Sequence, residues 1–153
     1  MPIKPKVLFL CTHNSCRTQM AEAFLRHLTG DELDIVSAGG EAGDLDPEAV
    51  AAMREVGIDI SSARTKVVDP YLKHRFHYLI TLCDRKEERS CPVFPGAIWR
   101  QTWSIESPAS LEANGLSRAR AVRYARDKIR KHVDEFIEKH HTTGSGKGKS
   151  AWS

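Results

Sequence analysis

A chain of 153 residues that is 41% hydrophobic and 28% charged has room for one domain of ordinary globular composition. The apolar run Val7 to Cys11 is far shorter than the roughly 20 residues that cross a bilayer, so no helical membrane span is expected. The formal net charge is only +3, and Arg118, Arg120, Arg123, Arg126 and Arg130 recur around the whole circumference of one helical segment. That is a solvated helix and not the basic stripe of a nucleic-acid binder. Behind the basic start Met1 to Lys6 the apolar stretch is too short for a secretory signal, which predicts a cytoplasmic protein. Cysteines in such a compartment (Cys11, Cys16, Cys83 and Cys91) point to nucleophilic or redox chemistry more than to structural disulfides.

Taken in chain order, Val7-Leu8-Phe9-Leu10 reads as a buried parallel strand that runs into the polar loop Cys11 to Arg17. A helix follows from about Thr18, with Met20, Ala23, Phe24 and Leu28 at inward spacing and Gly30 as its stop. Leu33 to Ser37 gives a second strand. Asp46 caps a second helix that has Pro47 in its first position and Gly57 after its end. His77 to Leu82 is the third strand, ending at Cys83, and Ile98 to Trp103 is a weaker fourth. A long helix from about Leu116 to Glu138 carries Val122, Ala125, Ile129, Val133, Phe136 and Ile137 on one stripe. This alternation predicts an α/β fold with a mostly parallel sheet, helices on both of its faces, and ligands at the carboxyl ends of the strands. Residues 1–140 form the expected single catalytic domain. The glycine-rich polar residues 141–153 read as a flexible tail.

Cys11 and Arg17 are separated by five residues, a pattern common enough to need context. Cys83 and Arg89 repeat it, but the acids Asp84, Glu87 and Glu88 lie between them and would repel an anion, so that match is set aside. Between Cys11 and Arg17 stand Thr12, His13, Asn14, Ser15 and Cys16, a loop without acids that joins a strand end to a helix start. Backbone amides there can converge on an oxyanion. The helix terminus and the Arg17 guanidinium favour a thiolate at Cys11, and Arg17 can clamp a tetrahedral oxyanion through paired hydrogen bonds. Ser15 is placed to donate to the Cys11 sulfur, and Asn14 to pin the loop. Cys16 is read as loop support and His13 as a solvent-facing side chain.

The run Cys11-Thr12-His13-Asn14-Ser15-Cys16-Arg17-Thr18-Gln19-Met20-Ala21-Glu22 resembles the signature of the low-molecular-weight tyrosine phosphatase fold, also called phosphotyrosine phosphatase I, in the branch that contains arsenate reductases. The likeness extends through Ser37-Ala38-Gly39, Gly57 to Ser61, Thr81-Leu82-Cys83, Cys91-Pro92 and Trp103, about residues 5 to 138. It implies a four-stranded parallel sheet flanked by helices. It also implies a relay in which Cys11 attacks arsenate, Cys83 attacks Cys11 and expels arsenite, and Cys91 closes a disulfide with Cys83 that thioredoxin, a glutaredoxin or a small thiol reduces. A helical segment between Cys83 and Cys91 would hold them near 12 Å apart at about 1.5 Å per residue, beyond disulfide reach, so the segment must unwind.

Two departures from the family carry expectations. Where the resemblance places an aspartic general acid before a proline, this chain has Ser107 before Pro108, with Glu106 as a weak substitute; ester hydrolysis should suffer more than arsenate reduction. Of the residues that hold potassium in some of these reductases, Asn14, Glu22 and Ser37 are matched, but Lys66 takes the place of an Asp, which predicts no potassium requirement. Asp69-Pro70 is read as a turn and cap. The cysteine and histidine spacing suggests no metal site, and no cofactor is expected. The reading is an arsenate reductase acting on arsenate or a phosphate-like oxyanion. Two alternatives stay open: a phosphatase using Cys11 and Arg17, and a redox-regulated oxyanion-binding module without turnover.

Overall fold

The structure, a computed structural model, describes residues 4–140 except 88 and 90, and the expected tail at 141–153 lies outside the described residues. Four parallel strands, β1 (Lys6–Cys11), β2 (Asp34–Gly39), β3 (Phe76–Thr81) and β4 (Ala97–Thr102), form one sheet in the order β2-β1-β3-β4. β1 is central. Val7, Leu8, Phe9 and Leu10 are fully buried because both faces of the strand are covered, which is why its sequence is continuously apolar. β4 is an edge strand and alternates, leaving Ile98 exposed.

The helices are α1 (Arg17–Thr29), α2 (Pro47–Glu55), α3 (Pro108–Ala113) and α4 (Arg118–His140). Val7 and Phe9 of β1 point into a cluster built with Met20, Phe24 and Leu25 of α1, Ala52 and Met53 of α2, and Val122, Ile129, Val133 and Phe136 of α4. Each large side chain buried there contributes roughly 1.5–3 kcal/mol. Leu8 and Leu10 point the other way, into a smaller cluster with Ala38, Val68, Leu79 and Phe94. That second face corrects the expectation of helices on both faces. It is covered by Val68, the 3-10 turn Asp69–Tyr71 and Phe94, while α1, α2 and α4 share the first face. The chain crosses after Ile58 and Ile60, which still belong to the first cluster.

Asp46 accepts the amide of Glu48 at 2.9 Å and so caps α2, with Pro47 in its first position. Asp69 sits inside its turn and makes no side-chain cap. α3 was not expected, although its signal is present: Ser107 accepts the amide of Ser110 at 3.1 Å, and Pro108 opens the helix. Ser107 is thus a helix cap.

Candidate active site

β1 ends at Cys11, beside Gly39 of β2, and its other neighbour β3 runs on through Leu82 into Cys83, so both cysteines stand at the carboxyl edge of the sheet. The loop between Cys11 and α1 folds tightly because Asn14 adopts φ 56°. In that conformation the Asn14 amide donates to the Cys11 sulfur at 3.1 Å. The Asn14 side chain holds the loop from behind: its Oδ1 accepts from the Lys66 amide (2.8 Å) and from Gln19 Nε2 (3.0 Å). Gly39 is required beside it, since a Cβ there would sit 2.8 Å from the Asn14 nitrogen. The expectation that Asn14 pins the loop is met by these bonds.

The side-chain donor to the sulfur is Thr18, not Ser15. Thr18 Oγ1 lies 3.2 Å from Cys11 Sγ and accepts a hydrogen bond from Asn14 Nδ2 at 2.8 Å, which leaves its own proton for the sulfur. Cys11 is buried, and α1 begins with no acidic residue in its first turn and no side-chain cap from Cys16. The first turn of the helix therefore carries no acid of its own to occupy its amides, an arrangement that favours an anion.

Arg17 is buried, and its Nη1 donates to the carbonyls of Leu82 and Ile105, both at 3.0 Å. These bonds tie the ends of β3 and β4 to the anion loop. Thr12 Oγ1 stands 3.9 Å from Cys83 Sγ, so the second sulfur lies against the loop that carries the first. Cys83 is bonded to Cys91 with a Cα separation of 6.2 Å, and after Cys83 the described residues form the 3-10 turn Arg85–Glu87. In this disulfide form the described residues between the two cysteines include no α-helix.

Cys11 and Cys16 are free thiols, both buried. Burial, and secondarily the Asp46 carboxylate, push the Cys16 thiol up to about 12, which suits a support and not a nucleophile. His13 is exposed and lies 3.4 Å from Glu41. Glu106 is exposed, while Asp84, which spacing did not single out for this site, is buried and accepts the amide of Ser107 at 3.0 Å. Ser37 Oγ donates to Glu22 Oε1 at 2.5 Å, and Lys66 Nζ lies 3.8 Å from the same oxygen. Among the described residues no group of three or more His, Cys, Asp or Glu could hold a metal ion, and no helix is long and apolar enough to cross a membrane.

Residues 6–140 match the model of the low molecular weight phosphotyrosine protein phosphatase family. The chain belongs to this family. Within it, the chain is 40% identical over 135 residues to an arsenate reductase of Bacillus licheniformis, covering 88% of this chain and 96% of that protein. A solved arsenate reductase in the phosphate binding state superposes with a TM-score of 0.69 at 30% identity, covering 88% of this chain and 98% of that one. A thioredoxin-dependent arsenate reductase of Corynebacterium glutamicum gives 0.62 at 27% identity, covering 90% of this chain and 64% of that one. The four-stranded parallel sheet flanked by helices is the fold of these low molecular weight phosphatase relatives.

Proposed function

We propose that this chain is an arsenate reductase that converts arsenate to arsenite through Cys11, Cys83 and Cys91. The observation that carries the reading is the Cys83–Cys91 bond at the edge of the anion loop, with the Cys83 sulfur 3.9 Å from Thr12. A phosphatase needs one sulfur, an arginine and an acid. A reductase must supply two electrons from thiols, and a second and third sulfur beside the first do so.

In this reading the amides of Thr12, His13, Asn14, Ser15 and Cys16 and the Arg17 guanidinium bind the oxyanion, and Thr18 with the Asn14 amide orients the Cys11 sulfur for attack. Cys11 displaces hydroxide from arsenate and forms a covalent arseno-thiol. Cys83 attacks the Cys11 sulfur, and the electron pair of the sulfur–arsenic bond leaves on arsenic as trivalent arsenite. Cys91 then attacks Cys83, releasing Cys11 and leaving the bond seen here. Ser107 is spent as the cap of α3 and Glu106 faces solvent, so an ester with a basic leaving group has no evident acid, which disfavours the phosphatase alternative. Lys66 places an ammonium against Glu22 where a monovalent cation would otherwise be needed, which supports a potassium-independent enzyme. We assign the reductant role to thioredoxin, the location to the cytoplasm, and catalysis to one domain within residues 1–140.

The test is arsenate-dependent NADPH oxidation with thioredoxin and thioredoxin reductase. Turnover that disappears in both Cys83→Ser and Cys91→Ser supports the reading. Aryl phosphate hydrolysis that is rapid and indifferent to both substitutions, without arsenate reduction, overturns it in favour of a phosphatase.

A further inference from the structure

Before its sulfur can attack, the Cys83 thiol must lose a proton, and a buried carboxylate follows it in the chain. Among the described residues the buried carboxylates are Asp46 and Asp84. Asp46 is committed to the start of α2 and to its ion pair with Arg118. Asp84 is 5% exposed and opens with Cys83, Cys91 and Arg85 onto a cavity of about 370 Å³. Its Oδ2 accepts the Ser107 amide at 3.0 Å, and Arg17 binds the carbonyls of Leu82 and Ile105. These bonds form two rungs between the end of β3 and the segment before α3, and they hold Asp84 beside Cys83 in the chain on the wall of the cavity that both line.

We propose that Asp84 is the general base of the second step, accepting the Cys83 proton as Cys83 attacks Cys11; this rests on the reductase reading. The Cys83 S–H bond breaks toward the Asp84 carboxylate, and the Cys83–Cys11 bond forms. The Cys11–arsenic bond breaks with its electron pair going to arsenic, so two sulfurs are oxidised and arsenic is reduced from pentavalent to trivalent. Asp84 returns the proton to an oxygen of the departing arsenite and is ionised for the next cycle. Arg85 and Cys91 line the same cavity as this pair, and the segments that bond to it or adjoin it carry Arg17 at the start of α1, Cys11 and His13 in the anion loop, Lys86 in the turn after Cys83, and Glu106 beside Ser107.

The test compares reduced wild type with Asp84→Asn and Asp84→Glu in single-turnover arsenite release between pH 6 and 9.5. Asp84→Asn should slow release by about a hundredfold or more near neutrality, the usual worth of a positioned base. Its rate should climb with pH and close on wild type once hydroxide can take the thiol proton, and Asp84→Glu should recover most of the activity. Alkylation of Cys11 should proceed at the wild-type rate in both variants, showing an intact anion loop. An Asp84→Asn rate equal to wild type, or one lowered by the same factor at every pH, overturns the proposal. Should Asp84→Asn fail to fold, Asp84→Ser takes its place, a rate equal to wild type or lowered by the same factor at every pH overturning the proposal and a lowered rate that climbs toward wild type with pH supporting it. In a parallel arm an aromatic disulfide reagent forms a mixed disulfide at Cys11, and Cys83 then expels the second aromatic thiol. The same pH signature is expected there even if wild type releases no arsenite, an outcome that would refute the reductase reading separately.

Discussion

Thr18→Val removes the hydroxyl that donates to Cys11 while preserving the shape of a fully buried side chain. A hydrogen bond to a charged group is worth about 1.5–3 kcal/mol, and each 1.4 kcal/mol is a factor of ten in rate. Loss of the Thr18 bond should therefore slow formation of the arseno-thiol by roughly 10- to 150-fold. The Asn14 amide remains as a donor to the sulfur, so the lower part of that range is the better expectation. The substitution also takes from Asn14 Nδ2 its acceptor inside the protein. An orphaned buried donor costs about 1–3 kcal/mol, which for a domain of this size lowers Tm by roughly 2–12 °C. The assay is single-turnover arsenite release at saturating arsenate and neutral pH, with thermal unfolding measured in parallel. Thr18→Ser keeps the hydroxyl and should stay close to wild type in rate. A Thr18→Val protein as fast as wild type would refute the assignment of this hydroxyl as donor to the thiolate.

Thermal stability of the wild type should be the same in sodium and potassium salts, whereas Lys66→Ala should lose stability and regain part of it in potassium alone; a strong potassium response of the wild type contradicts the role given to Lys66. Cys16, held protonated and buried, should remain unmodified by iodoacetamide at pH 8 in the native protein as read by peptide mass mapping, and Cys16→Ala should still release arsenite. Hydrogen bonds from Arg123, then Arg126, hold the exposed Glu55 carboxyl at about 2 against an ordinary value of 4.5. Because the folded state favours the charged form, this contribution is complete above pH 4.5 and is lost as pH falls toward 2. The stability gap between wild type and Glu55→Gln should therefore narrow across that window, and a gap that widens on acidification would contradict the sign.

What could be read from the sequence was what is local. The strand ending at Cys11, the acid-free loop and the start of α1 are adjacent in the chain, and the alternation of apolar strands with amphipathic segments gives the succession of strands and helices. The cap of α2 by Asp46 is likewise a contact two residues long. What escaped depends on distance along the chain or on competition between neighbours. Ser15 and Thr18 both offer a hydroxyl near Cys11, and only the left-handed turn at Asn14 decides which reaches the sulfur. Arg17 binding the carbonyls of Leu82 and Ile105, and Asp84 meeting Ser107, join segments that sequence spacing cannot bring together. The unforeseen α3 is a different case. The pair Ser107-Pro108 is a helix-start signal, hidden because the same position invited comparison with a catalytic acid.

The most direct measurement is the stoichiometry of a single encounter: fully reduced protein is mixed with arsenate in the absence of any reductant, arsenite is quantified, and the cysteines are mapped. The account predicts one arsenite per chain together with a Cys83–Cys91 bond and free Cys11 and Cys16. Unreduced arsenate with all four cysteines still as thiols, or arsenite accompanied by a Cys11–Cys16 bond, would contradict it.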